Sequence, residues 1–217
     1  MHYQAEQGRG EIKLFMADSK EEQQESASNV VEMRNADDWS TKGINADAAG
    51  NYTFAIDALS KSIELNPDES LTYYNRGIIY DRIGLYELAI EDFNKVVSME
   101  PHDVDAYYNR GRTYVNLGQY KNAIEDFNKV IFLDSEYAEA YNNRGVVYDS
   151  MGQYNRAIED YNAAISLRPN LASAYSNRGG VYFKQGNNRL GCRDAQTASA
   201  LGDCELLEWA RAKGFLI

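Results

Sequence analysis

Three pairs of adjacent carboxylates, Glu91-Asp92, Glu125-Asp126 and Glu159-Asp160, recur at a spacing of 34 residues. Two carboxylates in one site can divide the roles of acid and base. These do not form such sites, because adjacent residues on a helix point apart, and their repetition marks a surface pattern. Of the two histidines, His2 lies in a polar N-terminal stretch and His102 at a junction between repeats. No Ser–His–Asp or Cys–His arrangement and no glycine-rich phosphate loop is found. Cys192 and Cys204 lack the paired spacing of a zinc site. Cys192 stands where Ile56, Ile90, Ile124 and Ile158 stand in earlier repeats, so it reads as a buried thiol acting as a small apolar residue. No metal, cofactor or catalytic residue is expected, and the chain reads as a non-enzyme.

A more specific pairing joins Arg76, Arg110, Arg144 and Arg178 to an aspartate sixteen residues later: Asp92, Asp126, Asp160 and Asp194. The first copy has Lys42 and Ala58 at these places, so both partners are missing together. Planar guanidinium suits a bidentate carboxylate contact, and the expectation is a structural bridge between two helices. The alternative is an arginine ladder that takes a ligand carboxylate.

The elements that carry these residues repeat. Tyr107-Tyr108-Asn109-Arg110-Gly111 is followed by Tyr114, Gly118, Tyr120, Ala123 and Phe127. The same marks occur 34 residues upstream from Tyr73 and 34 downstream from Tyr141, with weaker copies at each end. A fixed period in this range is the signature of a helical solenoid. Asp103 or Asp105 is expected to cap a helix that runs to about Leu117, and Gly118 to end it in the left-handed conformation. A second helix begins near Tyr120, with Ala123, Ile124, Phe127, Val130 and Ile131 as one apolar stripe. Pro67, Pro101 and Pro169 fall at one unit junction, where they disfavour continued helix. Mid-helix Gly43, Gly77, Gly111, Gly145 and Gly179 are expected to face the recurrent alanines Ala55, Ala89, Ala123 and Ala157 and let the axes approach, with Tyr80, Tyr114, Tyr148, Phe93, Phe127 and Tyr161 filling the space around that contact.

The spacing of aromatic, Gly, Tyr, Gly, Tyr, Ala, aromatic and Pro resembles the tetratricopeptide repeat family. The resemblance implies an all-α, right-handed superhelical solenoid of five helix-turn-helix units, at 36–69, 70–103, 104–137, 138–171 and 172–205. The terminal units depart from the pattern: Ala46 and Leu59 in the first, Asn188, Gly191 and Ala195 in the last. Residues 206–217 are expected to form a cap, its helix spanning Cys204 to Lys213 with Asp203 at its start and Gly214 at its end. Leu206, Leu207, Trp209 and Ala210 would cover the last unit and oppose endless stacking. In arrays of this family the first helices line the concave face. That implies a peptide-binding set of Tyr74, Asn75, Asp81, Tyr108, Asn109, Arg112, Asn142, Asn143, Asp149, Asn177 and Phe183. The asparagines offer donors and acceptors to a peptide backbone, or else only support the fold. The carboxylate clamp known in some members is not carried over, since Tyr74, Tyr108 and Asn142 stand where lysine is needed.

Net charge is −11. Residues 36–171 hold 12 Lys+Arg against 22 Asp+Glu, a net of −10, while residues 172–217 hold 6 against 4, a net of +2. That balance argues against nucleic acid and anionic membranes and suggests a basic or amphipathic protein partner. No apolar run reaches membrane-spanning length and no signal peptide is visible, so a cytoplasmic location is the default. Residues 1–35 are acidic and polar, a flexible segment by composition. Their one apolar island, Ile12-Lys13-Leu14-Phe15-Met16, reads as a small cluster against the first repeat, or as a ligand for the groove of its own array or of a second copy. The functional expectation is a protein-interaction module that holds a peptide or helix in its groove. The alternative is a homo-oligomeric scaffold that assembles through the N-terminal segment.

Overall fold

The computed structural model describes residues 35–215 of the chain. The N-terminal island at 12–16 lies outside them. Among the described residues there are eleven helices and no strand. They are α1 (35–48), α2 (Tyr52–Leu65), α3 (Ser70–Arg82), α4 (Tyr86–Met99), α5 (Val104–Asn116), α6 (Tyr120–Leu133), α7 (Ala138–Ser150), α8 (Tyr154–Leu167), α9 (Ala172–Lys184), α10 (Asn188–Ala200) and α11 (Glu205–Ala212). They fall into two compact units, one ending at Ile79 and the other beginning at Tyr80.

Local sequence explains the punctuation. Gly118, Gly152 and Gly186 adopt φ of 70°, 72° and 76°, which only glycine reaches without strain. Their N–H groups and those of the following residues close the preceding helix: Gly118 N donates to Val115 O at 2.9 Å and Gln119 N to Tyr114 O at 2.8 Å. At the other junction, the residues before proline are extended, with Glu100 at φ −124° and Arg168 at φ −134°. Asp103 resolves the expected choice of cap for α5: its carboxylate accepts from Ala106 N at 2.9 Å.

In the second unit, α5 packs on α6, α7 on α8 and α9 on α10, and each pair packs on the next. The core follows that order. Ala123 and Phe127 of α6 bury with Val147 of α7, and Ala157 and Tyr161 of α8 bury with Val181 of α9. In the first unit Ala55 and Leu59 bury with Ile79.

The mid-helix glycines correct the sequence expectation. The atoms nearest to a Cβ on Gly111 or Gly145 belong not to alanine but to the aromatic rings of Phe127, at 2.9 Å, and Tyr161, at 2.7 Å. On Gly43 the nearest is Leu59 Cγ at 2.6 Å, with the Ala55 carbonyl at 3.2 Å. Glycine here makes room for a large side chain sixteen residues on.

The last pair is rebuilt around the chain end. Gly191 replaces the usual alanine, and the Phe183 ring lies 2.9 Å from where its Cβ would stand. Ala195 replaces the usual aromatic, and Leu206 of α11 approaches Gly179 in its stead, at 2.8 Å from the Cβ position. The N-cap of α11 is Cys204 rather than Asp203, whose carboxylate accepts from Glu205 N at 3.3 Å, and the helix spans Glu205–Ala212. Cys192 is half-buried rather than buried, and its thiol donates to Phe215 O at 3.4 Å.

Candidate peptide-binding surface

The arginines of the first helices are committed to structure. Arg110 meets both oxygens of Asp126, through Nε at 2.8 Å and Nη2 at 2.6 Å. Arg144 meets Asp160 at 2.8 and 2.7 Å, and Arg178 meets Asp194 at 2.7 and 2.8 Å. The remaining Nη1 reaches back sixteen residues, where Arg110 donates to Asn94 at 2.7 Å, Arg144 to Asn128 at 2.6 Å and Arg178 to Asn162 at 2.5 Å. Arg76 donates to Ser60 at 2.9 Å in the same register. The guanidinium of Arg110, Arg144 or Arg178 therefore ties its own second helix to the preceding one. The hydrogen bonds of Asp160 and Asp194 hold Arg144 and Arg178 protonated above the usual arginine value. At Asp126 burial, joined by the Glu125 charge, raises the carboxyl against the lowering by Arg110, whereas Arg110 is itself raised: burial lowers it, and Asp126 with the neighbouring tyrosines outweighs that. The two directions oppose; the ionised pair is the one that fits two contacts under 3 Å.

The asparagine backstop was not expected from the sequence. Its signal is present all the same. Asp92-Phe93-Asn94, Asp126-Phe127-Asn128 and Asp160-Tyr161-Asn162 each set two polar residues about a fully buried ring.

The first helices α5, α7 and α9 carry a second network. Asn177 Nδ2 donates to Asn142 Oδ1 at 3.1 Å, Asn142 Nδ2 to Asn143 Oδ1 at 3.4 Å, and Asn143 Nδ2 to the Tyr108 hydroxyl at 2.9 Å. Tyr108 thus accepts while keeping its own hydrogen to donate. Its ring packs on Tyr137 at 5.0 Å between centroids, and burial raises its hydroxyl above the usual value, against a lesser lowering by Arg112. Arg112 sits 6.0 Å from that ring and 3.4 Å from Asn109 Oδ1, and Asn109 donates to Asp105 O at 2.9 Å.

Between α5 and α7 lies a cleft of about 130 Å³. Phe127, Val115 and Val146 make it apolar, and Arg112, Asn116 and Asn143 supply its polar groups. The structure thus brings together Tyr108, Asn109, Arg112, Asn142, Asn143 and Asn177. Asp81 accepts from Thr113 Oγ1 at 2.8 Å, and Asp149 holds Lys184 Nζ at 2.8 and 2.7 Å. Tyr74 and Asn75 are half-buried on α3, in the other unit. Phe183 faces the chain end, stacked on Phe215 at 5.1 Å and edge-on to Trp209 at 5.1 Å. Among the described residues no three His, Cys, Asp or Glu side chains converge on a metal-sized site. No described helix is long and apolar enough to cross a membrane.

A tetratricopeptide repeat model matches residues 70–103, a second matches 93–125, and a TPR repeat model matches 111–152 and 147–186. The crystal structure of MamA protein is 30% identical with a TM-score of 0.71, over 84% of this chain and 97% of that one. A fragment of MamA from Desulfovibrio magneticus RS-1 shares the fold at 21% identity and a TM-score of 0.73, over 79% of this chain and 97% of that one. YrrB, described as a TPR protein with an unusual peptide-binding site, shares it at 21% identity and a TM-score of 0.67, over 81% and 90%. No curated protein sequence matches. The chain belongs to the tetratricopeptide repeat family, with its all-α solenoid fold. It is a protein-interaction module.

Proposed function

We propose that the face of α5, α7 and α9 binds an extended peptide or a helix of a partner protein, and that the chain performs no chemistry of its own. The array comprises five units over 36–205, preceded by the acidic segment 1–35 and followed by the cap at 206–217. The observation that carries this reading is the α5–α7 cleft. Its apolar floor suits one small side chain, while the amides and guanidinium at its edge suit the backbone on either side. A peptide-binding site, described as unusual, is named for YrrB. The acidic balance of residues 36–171 favours a basic or amphipathic ligand. A cytoplasmic location is the default.

The test is selection from a displayed random peptide library, followed by titration of the selected peptides. Val146→Arg fills the cleft from its wall, and it is expected to weaken them about tenfold or more while the melting temperature stays within a few degrees. Peptides that bind the variant as well as the natural chain would place the site elsewhere. A basic ligand also loses affinity as salt rises.

A further inference from the structure

A second cleft, of about 440 Å³, opens between α9 and α11. It is lined by Gly180, Phe183, Lys184, Leu206 and Trp209. Its cause is visible in the repeat register. Val146 and Arg112 stand 34 and 68 residues before Gly180, so a side chain fills this place in the earlier units. At Gly180 nothing lies within 4 Å of a Cβ position. Trp209 stays 42% exposed and Phe215 38% exposed, although their rings pack at 5.7 Å on each other and both pack on Phe183. An apolar surface of this kind at the end of an array is a place for a partner.

Charge narrows the partner. Lys184 lines the cleft on one side with its ammonium held by Asp149, and helical spacing puts Lys213 on the face of α11 that carries Leu206 and Trp209. Residues 172–217 are net +2 in a chain of net −11. The complementary chemistry is an apolar run with acidic flanks. The chain holds an apolar run outside the described residues, Ile12-Lys13-Leu14-Phe15-Met16, flanked by Glu11, Asp18, Glu21 and Glu22 against Arg9 and Lys20. Residues 1–34 as a whole hold 7 Asp+Glu against 4 Lys+Arg, a net of −3.

We infer that residues 11–18 of a second copy dock in this cleft. Phe15 enters against Phe183 and Trp209, and the acidic flanks face Lys213. The contact joins two different surfaces, so it is head-to-tail and extends beyond a dimer unless it closes into a ring. Helix α11 packs on α10 and α9, whereas the cleft beside it stays open. The inference is independent of the α5–α7 reading, and either can fail alone.

The test uses the full chain. Sedimentation velocity across a concentration series is expected to show reversible association. Phe15→Asp, outside the described residues, weakens association about tenfold or more, with the melting temperature unchanged. Gly180→Leu fills the cleft where there is free space, and it has the same effect with the helical signal retained. In a Trp39→Phe background, Trp209 is the sole indole. A peptide of residues 8–25 added in excess then shifts its emission and dissociates the assembly. A chain that is monomeric at every concentration overturns the inference, as does Phe15→Asp associating like the natural chain, or a Trp209 signal blind to the peptide.

Discussion

Tyr161 brings a hydroxyl into a place where Phe93 and Phe127 have none. The residue is fully buried, and the hydroxyl finds no hydrogen-bond partner. Tyr161→Phe is therefore expected to raise stability by about 1 kcal/mol, read as a higher melting temperature. The same group carries a pH dependence. Burial first, then the charges of Asp149 and Asp160, raise its pKa above the ordinary tyrosine value, and burial raises Tyr108 and Tyr137 likewise. The native state holds these protons more tightly than the unfolded chain does. Their contribution is thus constant below pH ~10 and is lost as pH rises above it. Melting curves from pH 8 to 11 are expected to fall steeply at the alkaline end, and less steeply in Tyr161→Phe. Asp126→Ala strands the Arg110 guanidinium, whose side chain is 15% exposed. A loss of about 3 kcal/mol or more is expected, with affinity at the α5–α7 cleft unchanged. A loss of affinity with no loss of stability would restore the ligand-ladder reading of the arginines.

At the scale of the helix, Gly179 and Gly180 are neighbours with opposite consequences. A Cβ on Gly179 would meet Leu206 Cδ2 at 2.8 Å and Asp194 Cβ at 3.1 Å, whereas one on Gly180 meets nothing. Gly179→Ala is expected to destabilise by about 1–3 kcal/mol through overpacking. Gly180→Ala is expected to stabilise by up to about 1 kcal/mol through helix propensity alone. Chemical denaturation of the two variants separates them. The helices, their ends and the Arg–Asp bridges were legible in the sequence because each rests on local rules repeated at a fixed offset. The fate of Phe183 was not. It depends on Gly191 and Ala195 leaving room that Phe183 and Leu206 then occupy, and three helices must be placed before that exchange is visible. The asparagine network was half legible. Register put Asn143 and Asn177 on one face, but their bonds to Tyr108 and Asn142 depend on how closely α5, α7 and α9 approach.

Across the molecule, the joints repeat with the period. Removal of residues 138–171, one whole repeat, leaves Asn128 in register with Arg178, and Tyr108 in register with Asn177. The shortened chain is expected to fold, with helical circular dichroism reduced in proportion and a lower melting temperature, because each unit of such an array rests only on its neighbours. A collapse to an unfolded or aggregated chain would show that α7 and α8 hold something their neighbours cannot replace. Two side-chain contacts of α7 with α9 would not be rebuilt with the same residues: Tyr108 takes the place of Asn142 opposite Asn177, and Val115 takes the place of Asp149 opposite Lys184.

Arg110, Arg144 and Arg178 each pin a second helix to the one before it. Drawn apart by its ends, such a chain would carry tension through these pins in series, each backed only by the packing beside it. Failure at one leaves the next intact. The length released on each failure is one repeat of 34 residues, roughly 110–120 Å when fully extended. The chain would then yield as a row of small fuses, paying out slack in equal steps while the remaining units stay folded.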